Sequence, residues 1–311
     1  MHITDRFHAK KWGVFNHFLG YNVNNGEEWC QKVAGFDVEL VAKTLHDMGA
    51  GYYVITLMQG RRYMLAPNAT FDRIGGIQPG EACARRDLVM DLAEELQKYD
   101  IDLYLYYTGD GPYMDDQLKG EFGFENPRKN VPMAFVEKWA AVLEEYAVRY
   151  GDKVKGWWID GCYDYFDYND ALLEPYYRAI KKGNPNAIVS FNNGESVREE
   201  VEMGICPRRV RPWSKWDDFT AGELVDCNYI PEGRFVDGTQ AHLLIPVGLP
   251  IDVQNFGTSW CQKGLKRTPE YIKQFTRAAN DRGVVISYDI WVGPHGEFDP
   301  VQVEALSQIG K

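Results

Sequence analysis

Short apolar runs rich in β-branched and aromatic residues alternate along the chain with longer segments in which apolar residues recur every three or four positions. The first pattern is typical of buried strands and the second of amphipathic helices. In segment 37–48, for example, Val38, Val41 and Leu45 share one helical stripe, and Gly49 follows as a stop signal. The predicted strands are residues 13–15, 52–56, 103–107, 156–159, 187–191, 224–228, 251–254 and 284–288. The predicted helices are residues 37–48, 85–98, 132–150, 172–182 and 268–280, with a last helix that begins at Asp299.

This alternation of strands and helices indicates a parallel sheet. Eight strands within 311 residues favour a closed (β/α)₈ barrel of the TIM type, because such barrels take about 250 residues plus insertions. The GxGxxG fingerprint of dinucleotide-binding folds does not follow the first strand, which disfavours an open Rossmann sheet. No internal repeat or low-complexity linker interrupts the pattern, so we predict a single barrel domain over residues 1–311.

Charge and hydropathy narrow the classes of partner. A net charge of -11 disfavours nucleic acid, since phosphate binding needs clustered Lys and Arg. No apolar run approaches the roughly 20 residues that span a bilayer, and the first residues carry no signal-peptide pattern. We therefore expect no nucleic-acid or membrane partner and a cytoplasmic location, unless the chain was trimmed from a secreted or periplasmic protein. The sequence carries no prediction of oligomeric state.

Cysteine and aromatic usage bear on cofactors and ligands. The 6 cysteines are widely scattered and none forms a CxxC pair, so the sequence predicts no metal and no cofactor. Aromatic residues make up 14% of the chain, with 9 Trp and 19 Tyr. Such a surplus suits a well-filled core as well as stacking on sugar rings, and composition alone does not separate the two.

Barrels of this type carry their active site at the C-terminal ends of the strands. Asp160 follows the apolar run 156–159 and precedes Gly161, so a carboxylate ends a buried strand beside two Trp side chains. Such a carboxylate can stabilise a developing positive charge, although a loop Asp bonded to backbone amides has the same local pattern. The other side chains at predicted strand ends are Asn16, His17, Met58, Gln59, Tyr106, Tyr107, Asn192, Asn193, Asp289 and Trp291.

A carboxylate in this position suggests glycoside hydrolysis, which needs a second carboxyl group. That group lies about 5 Å from the first in retaining enzymes and roughly 6.5–9.5 Å away in inverting ones. Glu195, Glu223 and Glu232 all lie on loops after later strands, and their spacing does not choose among them.

Eight segments of the chain, in order and with similar spacing, resemble segments of the family 29 α-L-fucosidases. Residues 158–161 (WIDG) are similar to the family's WFDG segment, whose Asp is the nucleophile, and residues 12–20 are similar to its opening FGIFIHWG. The segments are WGVFNHFLG at 12–20, EW at 28–29, GAGYYVIT at 49–56, RDLV at 86–89, LYYT at 105–108, WIDG at 158–161, DFTAGE at 218–223 and GPHG at 293–296.

The resemblance implies a retaining glycosidase that acts on a carbohydrate without a cofactor, with Asp160 as nucleophile and Glu223 as acid/base. Because the acid must carry a proton near neutrality, we expect Glu223 to lie in a poorly solvated setting. The resemblance and the strand-end pattern together imply sugar-binding residues, which are His17, Glu28, Trp29, Gln59, Arg61, Tyr107, Trp158, Asn193 and Trp291.

The chain departs from the family after the second strand. There the family carries KHHDGF, whose paired histidines bind the fucose hydroxyls, whereas this chain has Met58 and Gln59. A site that hydrogen-bonds a hydroxyl loses heavily when its donors are missing, so we expect an α-L-fucoside or a related, substituted sugar. An Arg that often follows the fifth strand is replaced by Asn192 or Asn193, and we expect no C-terminal β-sandwich.

Two other classes of function fit part of the pattern. A non-catalytic carbohydrate-binding barrel is favoured by the missing histidine pair and disfavoured by the presence of both Asp160 and Glu223. A metal-dependent barrel hydrolase needs a cluster of His, Asp and Glu at strand ends, where the pattern places His17 alone among the histidines. Sugar binding without turnover would support the first class, and activity in the presence of a chelator would exclude the second.

Overall fold

The computed structural model describes residues 2–124, 129–194, 208–251 and 259–310. Its helices are α1 (Asp5–Lys10), α2 (Gly26–Ala34), α3 (Val38–Met48), α4 (Ala69–Gly75), α5 (Leu88–Gln97), α6 (Asp116–Phe122), α7 (Met133–Tyr150), α8 (Asp170–Gly183), α9 (Pro269–Asp281) and α10 (Pro300–Leu306). Its strands are β1 (Trp12–Asn16), β2 (Tyr52–Met58), β3 (Asp102–Thr108), β4 (Val154–Asp160), β5 (Ile188–Phe191), β6 (Phe235–Val236), β7 (Thr239–Gln240), β8 (His242–Pro246) and β9 (Val285–Asp289).

Seven of the described strands form one parallel sheet, in the order β5-β4-β3-β2-β1-β9-β8, while β6 and β7 form a small antiparallel pair. Val14 of β1, for example, lies between Tyr53 of β2 and Tyr288 of β9. Helices separate most of the paired strands along the chain, which confirms the predicted α/β class. The carboxyl ends of all seven strands therefore meet at one edge of the curled sheet.

The backbone of residues 218–224 hydrogen-bonds to both outermost strands of this sheet. Asp218 N donates to Val189 O of β5 at 2.8 Å, and Leu224 N donates to Leu244 O of β8 at 2.9 Å. This irregular segment therefore lies in the gap between β5 and β8. The sheet is that of an α/β barrel, and its closure as a single-domain, eight-stranded barrel stays a prediction.

The prediction of a strand at residues 224–228 is wrong. Those residues are bends and coil, and Glu223 just before them makes only an isolated parallel bridge. The strand in this part of the sheet is His242–Pro246. The sequence pattern does not indicate it, because the strand is short and ends in a proline, a residue typical of turns. A buried histidine also opens this strand, where an apolar residue would be expected.

The other predicted strands and helices are present within a few residues of their predicted bounds, except for one strand. Of the predicted strand 251–254, Ile251 is a bend and residues 252–254 lie outside the described residues. The structure adds the short helices α1, α2, α4 and α6, which the pattern does not indicate. No helix in the described ranges has both the length and the apolar character needed to cross a bilayer.

Side-chain caps explain why α9 and α10 begin where the sequence predicts. The Thr268 side chain accepts a hydrogen bond from Tyr271 N, and Pro269 occupies the first turn of α9. The Asp299 side chain likewise accepts from Val301 N at the start of α10. These caps satisfy amide groups that have no partner within a helix.

The interior of the sheet is filled by aromatic side chains. Phe7 of α1 packs there, with its ring centroid 5.0 Å from the rings of Tyr52 and Phe219 and 5.2 Å from that of Tyr104. The interior cluster is Phe7, Phe15, Tyr52, Val54, Tyr104, Tyr106, Trp158, Ile188, Phe219, Ala221, Leu244 and Val285. A packed interior leaves the carboxyl ends of the strands as the place for polar chemistry.

Candidate active site

Asp160 is the last residue of β4, and its half-buried carboxylate is held by three donors from different elements. Tyr106 of β3 donates its hydroxyl to Oδ2 at 2.7 Å. Oδ1 accepts from the Tyr163 hydroxyl at 3.2 Å and from Asn192 Nδ2 at 2.8 Å. These bonds fix the carboxylate in one orientation at the edge where the strands end.

Asn192 connects Asp160 to Glu223. Its Nδ2 donates to Glu223 Oε2 at 2.5 Å as well as to Asp160 Oδ1 at 2.8 Å. Both bonds share one nitrogen. Asp160 Oδ1 and Glu223 Oε2 can therefore be at most 5.3 Å apart. The Asn192 side chain is itself fully buried, and its Oδ1 accepts from Gly194 N at 3.0 Å.

The barrel topology explains why these residues meet. Thr108 of β3 lies beside Asp160 of β4, and Asn192 immediately follows β5, so the chain delivers neighbouring strand ends to one place. Glu223 arrives from the segment between β5 and β8, where it pairs with Leu244. Residues far apart in sequence thus converge because parallel strands end at a common edge.

Gly161 permits the turn that follows Asp160. Its φ is +71°, a left-handed conformation that residues with a Cβ rarely adopt. A Cβ built at this position would also lie 2.6 Å from Cγ of the Asp110 carboxyl group, which is buried beside it. Both the backbone conformation and the lack of space therefore require glycine at position 161.

Aromatic rings form the floor beneath the two carboxylates. The ring of Trp158 stacks on that of Tyr106 with centroids 5.4 Å apart, and Phe15 meets Trp158 edge-on at 5.8 Å. The indole Nε1 of Trp158 donates to Ala221 O at 3.1 Å. Trp158 thus lies on the interior face, two residues before Asp160 on the same strand, as strand alternation requires.

His17, directly after β1, lies beside this floor and is paired with Asp289 at the end of β9. Nδ1 of His17 lies 2.6 Å from Asp289 Oδ2, and its ring is 5.8 Å from that of Tyr106 and 6.0 Å from that of Trp260. Burial alone would lower the pKa of His17, but Cys261 and the Asp289 carboxylate raise it well above its ordinary value. His17 is therefore placed to donate a hydrogen bond near the strand ends.

One group in the described ranges has the composition of a metal site. His17, Cys261 and Asp289 can each offer one ligand atom, and these atoms lie within 4.8 Å of one another. The sequence pattern places His17 and Asp289 at strand ends but gives no indication of Cys261. Loop residues far from a predicted strand end carry no periodic signal.

At the rim, the residues after β2 face Tyr21. The Arg61 guanidinium lies 5.8 Å from the centroid of the exposed Tyr21 ring. Arg61 N donates to Gln59 O at 2.7 Å, in a tight turn that follows the buried Met58. Gln59 and Arg61 are both half-buried. Their roles in substrate choice stay predictions.

Tyr107 and Asn193 are predicted to bind the sugar, but in each case the preceding residue contacts the carboxylates instead. Tyr107 is fully buried on the opposite face of β3 from Tyr106, and its hydroxyl donates to Trp139 O of α7 at 3.1 Å. Asn193 accepts from Asp164 N at 2.8 Å, while Asn192 binds the carboxylates. Successive side chains of an extended backbone point to opposite faces, so a one-residue error exchanges the inside for the outside.

Three other predicted residues make structural contacts. Glu28 caps the start of α2, where it accepts from Asn24 N at 2.9 Å. Trp29 is fully buried and donates its Nε1 to Met64 O at 2.7 Å. Trp291 is half-buried, with Lys263 Nζ lying 3.9 Å from its ring centroid. Their sugar-binding roles stay predictions to which these contacts lend no support.

The structure gives no support to the other two candidate acids, and it brings to the site several residues that the sequence did not single out. Glu195 lies outside the described residues, and Glu232 is exposed. Tyr106, Asn192 and Asp289 all stand at predicted strand ends, so the signal for them was present but did not distinguish them from their neighbours. Tyr163 had no such signal, because it lies in the loop after β4.

Comparison with solved structures places the fold among glycoside hydrolase catalytic domains. An α-L-fucosidase of family GH29 from Bacteroides thetaiotaomicron superposes with a TM-score of 0.64 at 17% identity, over 99% of this chain and 72% of that one. An endo-fucoidan hydrolase of glycoside hydrolase family 107 superposes with a TM-score of 0.72 at 14% identity, over 99% of this chain and 92% of that one. This chain therefore shares its fold with these two hydrolases. Neither a protein-family model nor a curated protein sequence matches the chain.

Proposed function

We propose that this protein is a retaining glycoside hydrolase that cleaves an α-L-fucoside or a closely related, substituted sugar. The observation that carries the proposal is the bridge from Asn192 to both Asp160 and Glu223, which keeps the two carboxylate oxygens within 5.3 Å. Retaining glycosidases place their two carboxyl groups about 5–5.5 Å apart, whereas inverting ones need room for a water between them. Asp160 is the nucleophile in this proposal, and Glu223 is the acid/base.

In the first half of the reaction, a carboxylate oxygen of Asp160 attacks the anomeric carbon while the bond to the leaving oxygen breaks. Glu223 gives its proton to that oxygen, and a covalent glycosyl-enzyme forms. In the second half, Glu223 takes a proton from water, which attacks the anomeric carbon and releases Asp160. Tyr106, Tyr163 and Asn192 hold the nucleophile in line throughout, because each bonds a carboxylate oxygen.

Sugar recognition in this proposal uses the floor and one wall of the site. Trp158, which is 4% exposed and stacked on Tyr106, forms the packed floor beneath the sugar, and His17 offers a hydrogen-bond donor held by Asp289. Met58 and Gln59 stand where the α-L-fucosidases carry their histidine pair, and Gln59 or the nearby Arg61 sets the identity of the sugar. A longer and cationic wall suits a substituted sugar better than bare fucose.

The structural neighbours support the chemical class of this proposal. Those neighbours are described as α-L-fucosidases and as endo-fucoidan hydrolases, so fucose-containing substrates recur among them. One of them, the GH29 fucosidase from Bacteroides thetaiotaomicron, was trapped as a covalent intermediate with 2-fluoro-fucosyl fluoride. The same type of intermediate on Asp160 is what the proposal requires.

Azide rescue separates the two carboxylates. Asp160→Ala should abolish hydrolysis of an aryl α-L-fucoside, and azide should then give a glycosyl azide of inverted configuration, because azide replaces the nucleophile. Glu223→Ala should instead give an azide of retained configuration, because azide attacks the covalent intermediate. Hydrolysis by Asp160→Ala near the wild-type rate, or inverted azide from both variants, would overturn the assignment.

A non-catalytic carbohydrate-binding barrel is the second candidate, since Met58 and Gln59 stand where the α-L-fucosidases carry two histidines. A panel of substituted L-fucosides and α-L-galactosides distinguishes the two. Binding of one of these sugars with no turnover by the wild-type protein would favour the second candidate over the first.

A further inference from the structure

Three side chains with different ligand atoms converge beside the candidate sugar site. His17 follows β1, Asp289 ends β9, and β1 and β9 are paired so that Phe15 lies next to Asp289. Cys261 reaches the same place from the region between β8 and α9, where its backbone N donates to Asp289 Oδ1 at 2.7 Å. Separate parts of the fold thus bring an imidazole, a thiol and a carboxylate together.

The cluster is compact and sheltered. One ligand atom from each residue lies within 4.8 Å of the others. Metal bonds of about 2.0–2.3 Å place two tetrahedral ligands about 3.3–3.8 Å apart, so a small inward movement of these side chains completes the site. The Asp289 side chain is fully buried and that of His17 is 11% exposed, so a cation would be largely desolvated there but still reachable. Cys261 is held with φ at +60°, a conformation uncommon for a residue with a side chain.

The donor set selects the kind of cation. Mg²⁺ and Ca²⁺ prefer oxygen ligands, whereas a mixture of imidazole, thiolate and carboxylate suits Zn²⁺ and related d-block cations. Three protein ligands also leave the fourth position of a tetrahedral zinc ion open.

We propose that His17, Cys261 and Asp289 form a binding site for a divalent d-block cation of the Zn²⁺ type, and that this cation competes with the sugar. The competition rests on the proposed function, because His17 is there a donor to the substrate. An imidazole that coordinates zinc no longer offers the same ring to a sugar hydroxyl, so the two ligands exclude each other. Zinc is an inhibitor in this account and takes no part in the reaction of Asp160 and Glu223.

Binding is tested without any substrate. Chelator-treated full-length protein is titrated with Co²⁺, and a thiolate-to-cobalt charge-transfer band is expected, with Zn²⁺ displacing the cobalt at one equivalent. Cys261→Ser should lose the band and bind Zn²⁺ about 10-fold more weakly or worse by calorimetry, since even outer partners of metal ligands contribute 10–100-fold to affinity.

Cys30→Ser is the matched control, because the Cys30 thiol contacts Gly80 O at 3.8 Å and takes no part in the cluster. It should keep both the band and the wild-type affinity. Absence of the band in the wild type, or an unchanged band in Cys261→Ser, would overturn the cation site whether or not the protein hydrolyses a sugar.

Competition is tested on a glycoside that the wild type hydrolyses. Zn²⁺ should raise KM and leave kcat unchanged in the wild type, and the same Zn²⁺ concentration should raise KM much less in Cys261→Ser when each protein is compared with its own zinc-free rate. Zinc inhibition that lowers kcat alone, or that persists unchanged in Cys261→Ser, would contradict the competition. A protein that binds zinc but hydrolyses no glycoside would contradict the proposed function and leave the cation site standing.

Discussion

Tyr106 and Tyr107 are adjacent, chemically identical side chains with opposite surroundings. Tyr106 faces the interior and donates to the Asp160 carboxylate, whereas Tyr107 faces outward, stacks on Trp139 and donates to Trp139 O. The sequence predicts that both lie in the third strand and that Tyr107, the outer one, binds the sugar. The end of a strand determines how far along the sheet a residue lies. The face to which its side chain points depends on the strand register, which no local sequence pattern specifies here.

Matched tyrosine variants test this register. Tyr106→Phe removes a hydrogen bond to a charged group, an interaction worth about 1.5–3 kcal/mol, so kcat/KM should fall about 10- to 100-fold. Tyr107→Phe should leave kcat/KM nearly unchanged and lower the free energy of unfolding by about 1 kcal/mol, because its hydroxyl bonds a buried backbone carbonyl. Steady-state kinetics and urea unfolding of both variants provide the measurements, and a reversed pattern would place the wrong tyrosine in the site.

The sequence does not show which of the two asparagines after the fifth strand contacts the carboxylates. The two consecutive asparagines after the fifth strand are equivalent as letters, yet only Asn192 donates to Asp160 and Glu223. Asn193 accepts from the backbone of Asp164 instead. Which asparagine bridges the carboxylates depends on the loop that brings Glu223 to them, and that loop carries no periodic pattern.

At the scale of elements, helix boundaries were the most predictable feature. Thr268-Pro269 and Asp299-Pro300 carry their own start signals, a capping side chain followed by a proline, and the structure confirms both. The strand His242–Pro246 was missed, because its buried histidine is stabilised by tertiary contacts with Thr220 and Ser287 rather than by local pattern. Such polar burial is visible only when distant partners are known.

The position of Asp160 depends on the turn that follows β4. Gly161→Ala should be compared with Gly49→Ala, because both glycines have positive φ but a Cβ at Gly49 would have no atom within 4 Å. Gly49→Ala should cost about 1–2 kcal/mol of unfolding free energy, the price of the left-handed conformation alone. Gly161→Ala should cost more and also reduce kcat, because its Cβ would push against the Asp110 carboxyl group and displace Asp160.

Chemical unfolding and kinetics of the two alanine variants check this comparison. Equal losses of stability with full activity in Gly161→Ala would show that the turn tolerates a Cβ. In that case the close approach of Asp110 to Gly161 would have no bearing on the position of the nucleophile.

At the scale of the whole molecule, the alternating pattern predicted the α/β class and most of the sheet. It did not predict the region between β5 and β8, where residues 218–224 bond to both strands with an irregular backbone and the strand expected at residues 224–228 does not form. The acid/base candidate Glu223 comes from this region. The position of the second carboxylate therefore depends on an irregular segment.

Asp217 makes the stability of this region depend on pH. Burial raises its pKa to about 7, even though Phe191 N, Ser214 N and the Ser214 hydroxyl donate to its carboxylate. In the unfolded chain its pKa is near 3.8, so between about pH 4 and 7 the folded protein holds a proton that the unfolded chain releases. Stability from this group is full below pH 4 and falls as the pH rises to 7, by at most about 1.4 kcal/mol per unit.

Asp217→Asn, which cannot titrate, isolates this contribution. The unfolding free energy of the wild type minus that of the variant should fall between pH 4 and 7 and level off above, as measured by urea unfolding at several pH values. A difference that stays flat, or that grows with pH, would mean that the three donors outweigh burial and keep Asp217 ionised.

The central claim is that Asp160 forms a covalent bond to the sugar. It is tested most directly by incubating the wild-type protein with the 2-deoxy-2-fluoro glycosyl fluoride of a sugar that it hydrolyses, followed by intact mass spectrometry and tryptic mapping. The account predicts a mass increase of one fluorosugar per chain, located at Asp160 in tryptic peptide 156–178. Inactivation with the label on another residue, or steady hydrolysis of the parent glycoside with no label at all, would contradict it.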